Sequence, residues 1–238
     1  MSKGKLYMIP SFLGENNSAL LPNQWLNVVE KLKTFFVEDE RSARRFLRAA
    51  GYKTDFAEVN ILVIEKHSEE INLAQFLDVM KAGNDAGIIS EAGCPGVADP
   101  GADIEKAAHE QGIKVIPLVG PSSILLSLMA SGLNGQSFAF VGYLPIDKTD
   151  RRGRIQSLEQ QSVKLNQTQI FIEAPYRNNQ LLADLLQSLN ETTILCIACH
   201  VTLPDEFIKT QSVKQWKRNP PDLNKKPTVF LLLKNSIK

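Results

Sequence analysis

A chain of 238 residues, 43% hydrophobic and 22% charged, has the ordinary balance of a soluble globular protein and room for one large or two medium domains, each with its own core. A formal net charge of +1 excludes a global field that draws in nucleic acid, so any RNA contact has to use local basic patches. No apolar run is long enough to span a bilayer, and three cysteines make no disulfide framework.

Met1-Ser-Lys-Gly-Lys leads straight into Leu6-Tyr-Met-Ile-Pro10, too short and too soon interrupted for a secretory apolar core, so a cytoplasmic protein is expected. Leu6 to Ile9 reads as a first strand, stopped by Pro10, with a loop over Ser11 to Asn17. Asn23 is placed to cap a helix through Leu32 whose apolar face carries Trp25, Val28, Val29 and Leu32. Thr34 to Val37 is a second strand, and Ser42 opens a basic helix through Ala50, closed by Gly51. Ile61 to Ile64 is a third strand, and Asn72 to Ala82 a helix with Leu73, Phe76, Leu77 and Met80 inward and Gly83 as its cap.

Residues 86 to 101, Ala-Gly-Ile-Ile-Ser-Glu-Ala-Gly-Cys-Pro-Gly-Val-Ala-Asp-Pro-Gly, are the most informative stretch. The apolar run Ala86 to Ile89 ends in a loop holding Gly93, Gly96 and Gly101 and stiffened by Pro95 and Pro100, and a helix follows from Asp103 to Gln111. In open α/β sheets such loops, beyond the carboxyl ends of strands, bind ligands. The length of this one exceeds an ordinary βα connection. Lys114 to Leu118 is the next strand, and the β-α alternation of the first half implies a mostly parallel sheet with helices on both faces.

Val119-Gly-Pro-Ser-Ser123 starts a helix through Ser131, closed by Gly132. Further strands are expected at Ser137–Val141, Thr168–Ile172, Thr193–Cys199, Phe207–Val213 and Thr228–Leu233, with helices over 148–164 and 178–189. With fewer helices per strand, this half reads as a mixed α/β domain, which divides the chain into residues 1–118 and 119–238.

No Walker lysine loop and no Gly-x-Gly-x-x-Gly is present, and a Gly/Pro loop without lysine suits a ligand lacking phosphates. Cys196-Ile-Ala-Cys199-His200 matches a short haem-attachment or redox pattern, but it lies in an apolar strand where Cys196 and Cys199, three apart, face opposite sides, so they read as buried apolar residues. His67, His109 and His200 are scattered without metal-ligand spacing, and no metal is expected; His109 reads as solvent-facing. Val37-Glu-Asp-Glu-Arg41 is either a solvated turn at a helix N-terminus or a polar rim on a ligand crevice. Arg41, Arg44, Arg45 and Arg48 at helical spacing, and Lys148, Arg151, Arg152 and Arg154, are either solvated faces or stripes for RNA phosphates.

Ile89-Ser-Glu-Ala-Gly-Cys-Pro-Gly-Val-Ala-Asp-Pro-Gly101 closely resembles the glycine/proline signature of the tetrapyrrole methylase family, and Pro117-Leu-Val-Gly-Pro-Ser-Ser123 its second signature. Leu6 to Pro10, Glu38 to Arg41, Ala130 to Leu133, Gly142 to Pro145 and Glu173 to Arg177 are similar to its ribosomal RNA small-subunit methyltransferase I branch. This sequence departs from that branch at Pro10-Ser-Phe-Leu-Gly14-Glu-Asn, at Glu91 and Cys94, and at Cys199-His200, where the branch has an Arg-Glu pair.

The resemblance implies two α/β domains with a cofactor cleft between them, S-adenosylmethionine as methyl donor, a homodimer, and 2′-O-methylation of a ribose in small-subunit ribosomal RNA. It leaves methylation of a tetrapyrrole or corrinoid precursor, or a non-catalytic binding protein, as alternatives. It assigns the cofactor to Pro10, the loop Ala92, Gly93, Cys94, Pro95, Gly96 and Val97, the serines Ser122 and Ser123, and Glu173, Ala198 and Thr228. A ribose hydroxyl is a poor nucleophile and benefits from a positioned base. Asp39, Glu91, Asp99, Glu173 and His200 are candidates, with Asp39 beside Arg41 preferred as the catalytic pair.

Overall fold

The computed structural model describes residues 2–14, 21–64 and 72–234, so His67 and the far end of the 11–17 loop lie outside the described residues. The chain forms two compact units, Met1–Ser122 and Ser123–Lys238.

The first unit is built on five parallel strands, β1 (Lys5–Ile9), β2 (Thr34–Val37), β3 (Asn60–Val63), β4 (Ala86–Ile89) and β5 (Lys114–Pro117), in the order β3-β2-β4-β1-β5. Its helices are α1 (Asn23–Val29), α2 (Glu40–Ala49), α3 (Leu73–Lys81) and α4 (Gly101–Glu110). Strand periodicity splits the apolar residues into two cores, because neighbouring side chains leave opposite faces. Phe35, Val37, Ile9 and Ile89 meet Trp25 and Val29 of α1 and Ala43, Phe46 and Leu47 of α2 on one side. Phe36, Leu6, Met8 and Ile88 meet Phe76 and Met80 of α3 and Ile104 and Ala108 of α4 on the other. Connections through α1 and through α4 therefore leave the sheet on opposite faces. Strand order turns between β4 and β1, so the loops that follow them diverge and open a crevice at the carboxyl ends of the strands.

Several helix boundaries differ from the expectation, and α4 opens at Gly101 instead of Asp103. The basic helix does not open at Ser42: Asp39 is its N-cap, in extended conformation, and its carboxylate accepts the Ser42 backbone N–H at 2.7 Å. Helix α1 starts after Pro22 and ends at Val29, three residues short of Leu32, which is nonetheless buried. The basic stripe is not one solvated face. Arg44 pairs with Glu40 at 2.5 Å, and both Arg44 and Arg48 stack on the Phe56 ring, at 5.1 and 4.3 Å from its centre. Arg41 and Arg45 make no ion pair among the described residues.

The second unit carries β6 (Phe138–Tyr143), β7 (Thr168–Ile172), β8 (Ile194–Cys199), β9 (Phe207–Ser212) and β10 (Thr228–Leu233) in the order β6-β7-β10-β8-β9. Only β6 and β7 pair in parallel; the others pair antiparallel. Helix α5 (Ser123–Ser131) lies against β8, β9 and β10. Helices α6 (Lys148–Leu165) and α7 (Asn178–Ser188) enclose the core with Phe171, Leu195, Ile197 and Phe230. A short helix not expected from sequence, α8 (Val213–Trp216), buries Trp216, whose indole N–H donates to the Leu195 carbonyl at 2.8 Å. Cys199 joins the α6/α7 core with Leu195 and Ile197, whereas Cys196, equally buried, leaves β8 on the other face. Arg151 is not on a solvated basic face: it is buried and its guanidinium grips Asp184 Oδ2 at 2.9 and 2.6 Å.

Candidate functional site

The loop after β4 is held by its own main chain. Ser90 Oγ and the Ser11 N–H both donate to the Gly93 carbonyl at 2.9 Å, tying the loop to the chain leaving β1. Gly93 and Gly96 have φ of +78 and +77°, the left-handed region that side chains disfavour. Asp99 closes the turn, its Oδ1 accepting from the Gly101 N–H at 2.7 Å and the Gly96 N–H at 3.4 Å. Ala92 and Val97 are exposed on this loop, while Gly93 and Pro95 are buried. The Cys94 thiol donates to the Pro121 carbonyl at 3.5 Å and bonds the Ser122 side chain, and burial pushes it above the usual thiol range. Pro10 is buried against Gly120, so the β1 and β5 exits are in contact.

Beside this loop lies a pocket of about 360 Å³. Three strand ends build it: Ser11 to Gly14 after β1, Val37 to Asp39 at the end of β2, and Ile89 to Ala92 at the end of β4; Ser42, Ala43, Arg45 and Phe46 of α2 form its remaining wall. Phe12 and Phe46 meet edge to face at 4.9 Å and make the apolar side. Glu38, Asp39 and Glu91 make the acidic side, and Glu38 Oε1 accepts the Glu91 N–H at 3.1 Å. The Ser11 hydroxyl is 3% exposed as a residue and has no hydrogen-bond partner among the described residues.

Two carboxyls at this site have opposite electrostatics. The hydrogen bond from the Ser42 backbone holds Asp39 below the usual carboxylate range. Burial pushes Asp99 up to about 6, opposed by the Gly101 N–H and reinforced by a hydrogen bond with the Glu38 carboxyl.

Of the residues expected at the site, Ala92 and Asp39 line the pocket, and Arg41 does not; Arg45, one helical turn further on, does. Cys94, Pro95, Gly96, Val97 and Ser122 belong to the neighbouring loops of the first unit, and Ser123 is the first residue of α5. In the second unit, Glu173 is buried and bonded to Arg177 at 2.6 Å and to the Ala174 N–H at 2.7 Å. Ala198 is fully buried within β8, and the Thr228 hydroxyl donates to the Lys226 carbonyl at 2.9 Å. His200, at a φ of +52°, bonds Asp205 at 2.7 Å through Nδ1, and His109 is exposed. Sequence reasoning does not single out Ser11, Phe12, Phe46 or Arg45, which also line the pocket. The i, i+3 spacing of Ala43 and Phe46 and the i, i+4 spacing of Arg41 and Arg45 were the available signals.

The described residues contain no group of three or more histidines, cysteines and acids able to hold a metal, and no helix long and apolar enough to cross a membrane.

The fold has close counterparts among solved structures. The methyltransferase CobJ superposes with a TM-score of 0.63 at 14% identity, over 97% of this chain and 94% of that one. The uroporphyrin-III-C-methyltransferase from Thermus thermophilus superposes at 0.59 and 19% identity, over 97% and 92%. By sequence, the chain is similar to "Ribosomal RNA small subunit methyltransferase I" of Pseudomonas aeruginosa, 31% identical over 78% of this chain and 62% of that protein. It is 28% identical to the Escherichia coli O157:H7 protein of the same name, over 87% of this chain and 68% of that one. The chain thus spans about two thirds of the length of these relatives. The family described as Tetrapyrrole (Corrin/Porphyrin) Methylases matches residues 13–216, and the chain belongs to that family.

Proposed function

We propose that the protein is an S-adenosylmethionine-dependent methyltransferase whose acceptor is a ribose 2′-hydroxyl in small-subunit ribosomal RNA. The observation that carries this reading is the similarity, over 78 to 87% of the chain, to relatives that bear the ribosomal RNA methyltransferase name. Work on ribosomal RNA implies a cytoplasmic protein, and the family resemblance implies a homodimer.

The loop after β4 fits the cofactor chemically. Between Ser90 and Asp103 there is no lysine or arginine, so nothing there is suited to a polyphosphate, and left-handed Gly93 and Gly96 let main chain approach a nucleoside closely. Pro10, Ala92 to Val97 and Ser122 are the residues we assign to it in the first unit. When bound, the cofactor supplies a methyl group already activated by a positively charged sulfur. The protein's share is to align the acceptor with that methyl and accept a proton, and alignment alone can be worth about 7–11 kcal/mol. Protonated Cys94 does not compete for the methyl, because its thiol is held above the usual range. The Glu38–Asp99 pair is better matched to the proton than Asp39. A base is most effective with a pKa near the working pH, and Asp39 is held low as a helix cap. We assign the proton to that pair and the capping role to Asp39, with Arg45 in place of Arg41 as the cation at the pocket.

Transfer of labelled methyl from S-adenosylmethionine tests the reading, with small subunits, protein-free ribosomal RNA and a corrinoid precursor as parallel acceptors. Label in the RNA of small subunits supports it, and label only in the corrinoid overturns it.

A further inference from the structure

Charge is divided unevenly between the two units. Residues 123–238 hold 14 Lys and Arg against 9 Asp and Glu, a net +5, whereas residues 1–122 hold 13 against 17, a net −4. The near-neutral total hides this asymmetry, which favours the second unit as the place where a polyanion docks.

Two motifs of that unit have no part in the reading above, Gly142-Tyr-Leu-Pro145 and Glu173-Ala-Pro-Tyr-Arg177. They stand at the carboxyl ends of β6 and β7, which are neighbours in the sheet. A bulge breaks the pairing there. Phe140 is opposite Ile170 but Tyr143 is opposite Ile172, one residue too many on β6, and Gly142 takes a φ of +70°. Without the extra residue Gly142 would stand opposite Ile172, and Tyr143 would turn to the face of Phe171, in the core under α6 and α7. The bulge puts Leu144 into that core and leaves Tyr143 56% exposed. Tyr176, in the turn Pro175–Arg177 after β7, is 67% exposed.

Cations frame the two rings. The Arg177 guanidinium lies 5.3 Å from the centre of the Tyr176 ring, and the Tyr143 and Tyr176 hydroxyls both act on its charge. Glu173, with a side chain 2% exposed, holds that guanidinium at 2.6 Å, which fixes its place and keeps the carboxylate away from solvent. Exposed Lys225 stands beside the same turn, its N–H donating to the Pro175 carbonyl at 3.0 Å. Every base has a π-face that a tyrosine ring can take, and arginine and lysine meet the phosphates between bases. Paired bases in a duplex are already stacked, so the rings select an unpaired strand.

We propose that Tyr143, Tyr176, Arg177 and Lys225 form a docking platform for single-stranded RNA, on which nucleotides outside the methylated one stack. The inference rests on the ribosomal RNA reading above and deepens it, because it names the form of RNA that the second unit holds. The platform contributes affinity and little sequence preference, since stacking and phosphate contacts do not read base edges.

Fluorescence anisotropy of the full chain tests this with labelled oligoadenylate and oligouridylate strands of about 12 nucleotides, and with an RNA duplex of the same length. Both strands should bind more tightly than the duplex. Tyr143→Ala and Tyr176→Ala should each weaken strand binding about fivefold or more, while Tyr143→Phe and Tyr176→Phe keep it. Lys225→Ala should lower the slope of log affinity against log salt by about 0.7, and the tyrosine variants should leave that slope unchanged. All three side chains are exposed, and unchanged S-adenosylhomocysteine binding by calorimetry checks that the variants fold. Wild-type affinity for the strands in both Tyr→Ala variants overturns the platform and leaves the methyltransferase reading in place. So does a shift from dimer to monomer in sedimentation velocity on Tyr→Ala substitution, which makes this face a contact between copies. A wild-type chain that binds neither strand and transfers no methyl to ribosomal RNA overturns both.

Discussion

The carboxyl of Asp99, in the loop after β4, is hydrogen bonded to the carboxyl of Glu38, at the end of β2. Burial raises Asp99 most, and the contact with a second acid adds to the effect, so its carboxyl is pushed up to about 6 from its ordinary 3.8. The folded state therefore binds a proton that the unfolded chain has already lost between these values. The contribution is fully present below about 3.8 and is lost as pH rises through about 6. Urea unfolding of wild type and Asp99→Asn across pH 4 to 7 should show the variant gaining on the wild type as pH rises. Methyl transfer by the wild type should rise with pH through the same window, because an ionised pair is needed to take the proton.

Asp39 separates a capping role from a catalytic one. Asp39→Ala removes the acceptor for the Ser42 N–H and should lower the thermal midpoint, whereas Asp39→Asn keeps a good cap and should leave it close to wild type. If Asp39 only caps, the Asn variant also keeps its methyl-transfer rate; a loss of 10²-fold or more identifies Asp39 as the base after all.

Buried Arg151 and Asp184 form an ion pair in the second unit, with side-chain exposures of 7 and 2%. Arg151 also donates to the Ile146 carbonyl at 2.6 Å, which ties the start of α6 to the segment before it. Arg151→Ala leaves a buried carboxylate without its main partner and should cost about 3–5 kcal/mol in denaturant unfolding. Replacing both with apolar residues, Arg151→Met with Asp184→Leu, should recover much of that loss.

Gly120 admits no side chain, since a Cβ there would lie 2.4 Å from the Pro10 Cβ. Gly120→Ala should cost about 1–3 kcal/mol by forcing the β1 and β5 exits apart. If Pro10 borders the cofactor as we propose, calorimetry should also show weaker S-adenosylmethionine binding in this variant.

The elements of this fold were largely legible in the sequence, and the pocket was not. The bounds of β2, β4, β7 and β10 match the expected ones, because each is a short apolar run flanked by loop residues. Opposite facing of Cys196 and Cys199 followed from strand periodicity alone. Sequence alone does not fix the start of α2, because Ser42 is itself a good capping residue and only the observed bond gives Asp39 the role. Arg151 looked like a surface charge since its partner stands 33 positions away. Ser11, Phe12 and Phe46 become one wall only when β1 and β2 flank β4, a strand order that no local pattern encodes.

The central claim is that this chain moves a methyl group from S-adenosylmethionine onto a ribose of small-subunit ribosomal RNA. Mass spectrometry of ribosomal RNA nucleosides from cells with and without the protein measures that most directly. The account predicts that one 2′-O-methylated nucleoside falls in the small-subunit RNA of cells lacking the protein and returns when it is supplied. An unchanged nucleoside profile contradicts it.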